Sequence, residues 1–477
     1  MSSALNPIRA LIHGLGRLLA YLGLISRARA RRITALAWPR MVTGLARMSK
    51  ATADVAMVGS ALGPAAIAGV GYGVPFWTMT FMIGGGIAGG TISLVSQRYG
   101  AERHDQISVA ITVSAGLALI ATLPLVVLFW TIPEPLIRLI GSGETAIQYG
   151  ADYLQVASLA MPFSALNLIA SRSLIGADDS WTPMVVRTGG AALNVTINAV
   201  LIFVFDLGVV GAALGTVVGS ILSLGLFGWG LTTGRLPFLG SLPIRLRWKA
   251  PYWSAEDARH LLHVSSPLVL RKMAQNGGQF PMLAIVGLFG PDVVAAYVIA
   301  LRVRALMNTP GWGFGLASSS LVGQALGREE DQLADTYARE AFRFTVAAFA
   351  TVALLVFVTA TPIAHLFVDT PEALGVTVPL LRAACVSVLL WGIISGGMGP
   401  LRASGDTGWP FYGQMLGLLV GALPAAYLGA TTAIGAWGLY ASLILETALP
   451  AAVIYYRYAS GEWMRIGRAH RASTIRA

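Results

Sequence analysis

The sequence predicts an all-α integral membrane protein: twelve transmembrane helices in two pseudo-symmetric six-helix lobes. Three observations carry this. The 477 residues are 55% apolar and only 12% charged, with a mean hydropathy of +0.69. A water-soluble chain carries about 25% charged residues, because water must solvate its surface; a lipid-facing surface needs no such charges. The Lys and Arg residues fall mostly between apolar runs, where basic residues set the orientation of membrane spans. Finally, the chain repeats itself.

The repeat has one ungapped offset of 227 residues. Gly63-Pro64 falls on Gly290-Pro291, and Ser93-Leu94-Val95 with Gln97 and Gly100 falls on Ser320-Leu321-Val322 with Gln324 and Gly327. Asp179 and Pro183 fall on Asp406 and Pro410, and Gly208 and Gly211 fall on Gly435 and Gly438. Chance similarity between Ala/Gly/Leu-rich stretches does not hold register over such a length, and an internal period is the first thing to look for in a chain.

Each copy reads as six spans of the length a bilayer demands, about twenty apolar residues. They lie at 39–60, 65–98, 107–130, 148–171, 183–205 and 210–232, then at 266–289, 292–324, 338–360, 376–401, 409–429 and 435–457. The first is the least apolar, since it contains Arg47, Lys50 and Asp54; the repeat supports it where hydropathy does not. Placing both termini in the cytoplasm leaves Arg138 as the only basic Lys or Arg in the external loops, as the positive-inside rule requires. Six spans per copy bring the second copy into the membrane in the same sense as the first, so the axis relating them runs along the membrane normal.

The domain reading follows. Residues 1–34 form a basic amphipathic cytoplasmic segment, 35–232 the N-lobe, 233–265 a cytoplasmic linker, 266–457 the C-lobe and 458–477 a basic tail. Within the first of these, Asn6 to Arg32 reads as an interfacial helix rather than a signal peptide, since His13 and Arg17 interrupt its apolar stretch.

Composition also excludes chemistry. The one cysteine, Cys385, allows neither a disulfide framework nor a Cys-based metal site. His260 and His263 have no Glu or Cys at ligand spacing and read as a solvated face. The net charge of +11 belongs to topology rather than to a nucleic-acid surface. Gly84, Gly86 and Gly89 match G-x-G-x-x-G but follow no strand, so close helix packing is the better reading. Asp178-Asp179 lacks the spacing of a prenyltransferase metal motif, and there is no P-loop or H-E-x-x-H. The chain reads as a non-enzyme without cofactors, acting as a monomer in the plasma (inner) membrane.

Ala53-Asp54-Val55-Ala56-Met57-Val58-Gly59 followed by Leu62-Gly63-Pro64-Ala65-Ala66-Ile67-Ala68 resembles the first-helix signature of MATE transporters. Leu94-Val95-Ser96-Gln97, its echo Leu321-Val322-Gly323-Gln324, and the run Leu401-Arg402-Ala403-Ser404-Gly405-Asp406-Thr407 resemble further parts of that family, within the MOP flippase superfamily. The resemblance covers Pro39 to Arg457. It implies a two-lobe antiporter that exports small organic molecules by alternating access against inward H+ or Na+ flow. The alternative within the superfamily is a flippase for a lipid-linked or anionic cargo.

An ionisable residue inside a span is a functional candidate by default, at a cost of about 2.5–3.5 kcal/mol for Asp on insertion scales. Asp54 is that residue in the first copy and matches the family's cation-binding aspartate. Asn194 and Asn198, one turn apart, match its polar pair, and Thr216 its hydroxyl ligand. These oxygens suit Na+, and the carboxylate alone suits H+; no other metal is expected. Lys50, one turn before Asp54, departs from the family pattern. It is either a structural ion-pair partner or a competitor for the coupling ion.

In the second copy the position matching Asp54 is Pro281, and Gln275 and Trp391 stand where some relatives carry carboxylates. Gln275 and Gln279, spaced i, i+4, together with Arg271 and Arg302, are the candidate substrate residues. Lys272 and Arg304 add to the basic character there; those that do not snorkel or pair but face the cavity would suit an anionic or zwitterionic cargo rather than an organic cation. Glu446 reads as a structurally paired acid.

Overall fold

In the computed structural model, residues 7–247, 253–368 and 370–475 are described. The outer ends of the N-terminal segment and the tail, and residues 248–252 of the linker, lie outside them. Nearly every described residue is helical, and the one sheet is a hairpin of two-residue strands, Arg235–Leu236 against Gly240–Ser241. Nine helices among the described residues are long and apolar enough to cross a membrane, ten when Glu144–Ser158 and Ala160–Gly176, bent by 49°, count as one span.

The repeat is written into the backbone. Gly63 (φ 82°) and Gly290 (φ 97°) each precede a helix whose first residue is proline, Pro64–Gly100 and Pro291–Met307. Positive φ costs glycine nothing, and proline's fixed φ suits the first helical position. The same offset relates Gly208 (φ 52°) to Gly435 (φ 58°), Glu102 (φ 58°) to Glu329 (φ 66°), and Asp178 (φ 71°) to Gly405 (φ 85°). Left-handed non-glycine residues are uncommon, so their recurrence at one offset reflects a shared tertiary plan.

The chain divides into two compact units. The first unit is Val42–Val269; the second is Met1–Met41 with Leu270–Ala477. Neither is one repeat copy alone. The helices Arg27–Leu62 and Ala255–Gly277 each begin in one unit and end in the other, with Pro39 and Pro267 inside them near the changeover.

In the first unit the glycine-rich stretch packs closely. A Cβ on Gly84 would lie 3.1 Å from that of Ala165, and one on Gly90 would lie 2.5 Å from Ser265 Oγ and 3.3 Å from Leu261. Part of the segment read as a linker is therefore helical and buried: Ala258 and Leu261 join the core with Ile87, Leu94 and Leu168. Asp257 fixes it, taking a bidentate ion pair from Arg98 at 2.9 and 2.6 Å with both side chains buried.

In the second unit the N-terminal segment is two elements rather than one amphipathic helix. Pro7–Tyr21 ends at Gly23 (φ 70°), and Arg27 starts the long helix. Arg29 donates to Glu340 at 2.7 and 2.6 Å, and Arg32 to Gln324 at 3.1 Å. Leu11, Leu18 and Tyr21 remain exposed, the apolar side expected of a helix lying at a bilayer surface. The unit's core gathers Val303, Phe349, Leu380, Cys385, Val388 and Leu443. The repeat mate of Asp179, Asp406, is held by Arg457 at 2.5 Å.

Candidate functional site

Asp54 lies on the helix Arg27–Leu62, one turn after Lys50. Lys50 Nζ stands 2.6 Å from Asp54 Oδ2 and donates to Thr216 Oγ1 at 3.3 Å. Asn198 Nδ2 donates to the other carboxylate oxygen, Oδ1, at 2.8 Å, and to Asn194 Oδ1 at 3.3 Å. Asn194 Nδ2 reaches Thr216 Oγ1 at 3.5 Å, and that hydroxyl donates to Ala212 O at 3.2 Å. All five residues expected at the coupling site thus meet in one network inside the first unit.

Their local settings explain the meeting. Asn194 and Asn198 lie one turn apart on Trp181–Phe203 and share a face. The facing helix, Gly208–Thr233, offers glycine at both points of approach. A Cβ on Gly215 would overlap the Asn198 amide, 2.9 Å from its Cγ, and one on Gly219 would lie 3.1 Å from Asn194 Cβ. Both amides and Thr216 are buried. Asn198 Oδ1 is buried without a hydrogen-bond partner. An apolar cluster with Val58, Tyr153, Ala212 and Ala213 lies alongside, which lowers the local dielectric and strengthens the Lys50–Asp54 attraction.

The network presents donors to the carboxylate: an ammonium on one oxygen and an amide N–H on the other. An incoming cation has to displace Lys50, whereas a proton needs only to join the carboxylate and break the ion pair.

The second-unit candidates do not form a comparable network. Gln275 accepts from Lys272 at 2.9 Å. Gln279 is exposed and starts the helix Gln279–Gly287 after a turn at Gly278, whose backbone keeps helical angles (φ −64°, ψ −16°) and donates to Ala274 O at 2.9 Å. Arg302 is exposed. Glu446 is paired with Arg304 at 2.7 Å. Arg271 is buried and lies over the Trp391 ring at 5.7 Å from its centroid.

Sequence reasoning missed two further guanidinium groups. Arg402, read only as part of a loop motif, has a buried Nε without a partner. Arg187 has a buried Nη1 without a partner, and Arg47, 5.4 Å above the Phe81 ring, acts on it electrostatically. No local pattern signals such residues, since their neighbours come from distant helices.

The sequence profile of the MatE family matches residues 39–200 and 267–428. A probable multidrug resistance protein NorM of Bradyrhizobium diazoefficiens is 27% identical over 89% of this chain and 91% of its own length. The probable multidrug resistance protein YoeA of Bacillus subtilis is 26% identical over 74% of this chain and 76% of its own. Among solved structures, the Vibrio cholerae MATE transporter VcmN in its bent form superposes with a TM-score of 0.82 at 20% identity, covering 93% of this chain and 98% of that one. That likeness is one of fold: twelve transmembrane helices in two six-helix lobes.

Proposed function

Because the chain belongs to the MatE family, a family of membrane transporters, we propose that it is a secondary active antiporter exporting small drug-like organic molecules by alternating access. Inward cation flow through Asp54 drives the cycle, and the multidrug resistance names of its relatives support the cargo class. The protein is read as a monomer of the inner membrane with both termini in the cytoplasm.

One observation carries the reading: a carboxylate on the helix Arg27–Leu62, held by Lys50 and Asn198. Protonation at Asp54 removes its negative charge, releases Lys50 Nζ from Oδ2, and leaves the ammonium with Thr216. The two charge states thus favour different packings of the helix that carries both residues. A coupling ion shifts such an equilibrium only by its differential affinity for the two states. Each charge crossing 100 mV supplies about 2.3 kcal/mol. The donor-rich surroundings favour H+ over Na+, which would need Lys50 gone and amide oxygens turned inward.

The test is drug efflux from reconstituted vesicles under separately imposed H+ and Na+ gradients. The H+ gradient drives efflux and the Asp54→Asn variant, inserted and folded, does not respond to it. Efflux by that variant at the wild-type rate would sink the assignment. The flippase alternative for an anionic cargo draws on the buried arginines of the second unit.

A further inference from the structure

Among the described residues, the second unit contains a cation that no carboxylate pairs. Arg271 is 6% exposed, and its Nε and Nη2 are buried without a hydrogen-bond partner. Arg402 is near enough to repel it, and the Nε of Arg402 is itself buried and unpartnered. Neither forms an ion pair among the described residues. Other arginines of the same unit find carboxylates: Arg29 has Glu340, Arg304 has Glu446, and Arg457 has Asp406.

An unpaired buried charge costs several kcal/mol after relaxation, and a guanidinium does not escape by losing its proton. The like charge of Arg402 adds to the cost. Part of Arg402's charge is offset by its place in the last turn of Pro371–Ser404, where helix carbonyls favour cations. Arg271 lies six residues before the end of Ala255–Gly277 and has no such compensation. What holds it is Trp391. Stacking on an aromatic face fixes the guanidinium plane while leaving its N–H edge free. An edge so held matches the two oxygens of a carboxylate or phosphate.

We propose that Arg271 and Arg402, with Trp391 orienting the first, form an oxyanion-binding site in the second unit, which accepts the carboxylate or phosphate group of an organic anion. The site is separate from the Asp54 network. It rests on the transporter reading only in taking its occupant as cargo; the binding itself does not depend on coupling.

Thermal unfolding of the full-length protein in phosphatidylcholine nanodiscs, titrated separately with benzoate and with inorganic phosphate, tests this. A ligand that binds only the folded state stabilises it by RT ln(1 + [L]/Kd), so Tm climbs with the logarithm of ligand concentration above Kd. At least one probe raises the wild-type Tm in this way. Arg271→Gln and Arg402→Gln each weaken that response at least tenfold, and Arg271→Lys, which keeps charge but loses the fork, retains part of it. Asp54→Asn leaves it intact, so failure of the coupling reading and failure of this one are distinguishable. Repeating the titration in nanodiscs containing phosphatidylglycerol separates the sources. A raised Tm with no further soluble-probe response assigns the oxyanion to a lipid headgroup; an unchanged response assigns it to a soluble anion. No shift with benzoate, phosphate or phosphatidylglycerol overturns the site, as does an undiminished shift in both glutamine variants. Should Arg271→Gln fail to fold, Arg402→Gln carries the comparison.

Discussion

Lys50 Nζ lies 2.6 Å from Asp54 Oδ2 and 3.3 Å from Thr216 Oγ1, so the place a coupling cation would take beside the carboxylate is already filled by the protein's own ammonium. With side-chain exposures of 21% and 14%, the pair is partly shielded from water, and its partners come from two further helices. On the proposed coupling role of Asp54, this relationship would make Lys50 an internal competitor for the cation.

Replacing Lys50 by Met removes that competitor. Transport then reaches half its maximum at a lower external proton concentration, so the pH–efflux profile moves towards higher pH. A shift of one pH unit corresponds to about 1.4 kcal/mol. Sodium-driven efflux is expected to rise in this variant relative to the wild type. Initial efflux rates across a pH series, with and without Na+, measure both. An unchanged profile would assign Lys50 a purely structural role.

Gly215→Ala places a methyl group where the Asn198 amide stands. Overpacking of this kind costs about 1–3 kcal/mol, and it also pushes Nδ2 away from Asp54 Oδ1. A lower Tm and loss of gradient-driven efflux are expected together. The neighbouring Gly225 has open space around its Cβ position; alanine there leaves efflux unchanged.

Breaking the Arg98–Asp257 pair tests whether the helix starting at Ala255 is an integral part of the first unit. Removing one buried partner strands the other, at about 3–5 kcal/mol. Asp257→Asn therefore lowers Tm and opens residues 253–265 to protease. The double replacement Arg98→Met with Asp257→Leu loses less than either single change, since no charge is left unpaired.

His13 supplies a pH dependence outside the spans. Burial first, then Arg9, Arg17 and Arg31, hold its imidazole below the ordinary value. A base whose folded value is depressed binds fewer protons folded than unfolded. Docking of Pro7–Tyr21 is therefore fully stable at high pH and weakens as pH falls below the ordinary imidazole range. Protection factors of residues 7–21, taken relative to the intrinsic exchange rate at each pH, should fall between pH 7 and pH 5, and His13→Gln should flatten that change.

The scaffold was legible because its signals are periodic and local. The 227-residue offset foretold paired Gly-Pro helix starts, and the structure repeats even their backbone angles. Asp54, Asn194, Asn198 and Thr216 could be singled out because polar groups inside apolar runs stand out against a solvent that does not hydrate them. What the sequence did not show is what packs between Gln275 and Gln279: a Cβ on Gly278 would lie 2.6 Å from Leu418. That contact joins residues far apart in sequence and leaves no local trace.

By itself the sequence determined the all-helical membrane class and the repeat, and singled out the polar residues of the Asp54 network, since hydropathy answers to the bilayer alone. Tertiary structure alone decided which groups neutralise one another. It gave Asp54 to Lys50 and Asn198, Glu446 to Arg304 and Asp257 to Arg98, and among the described residues left Arg271 without a carboxylate. Charge pairing is settled by distances of a few ångströms between separate helices, and only packing sets those distances.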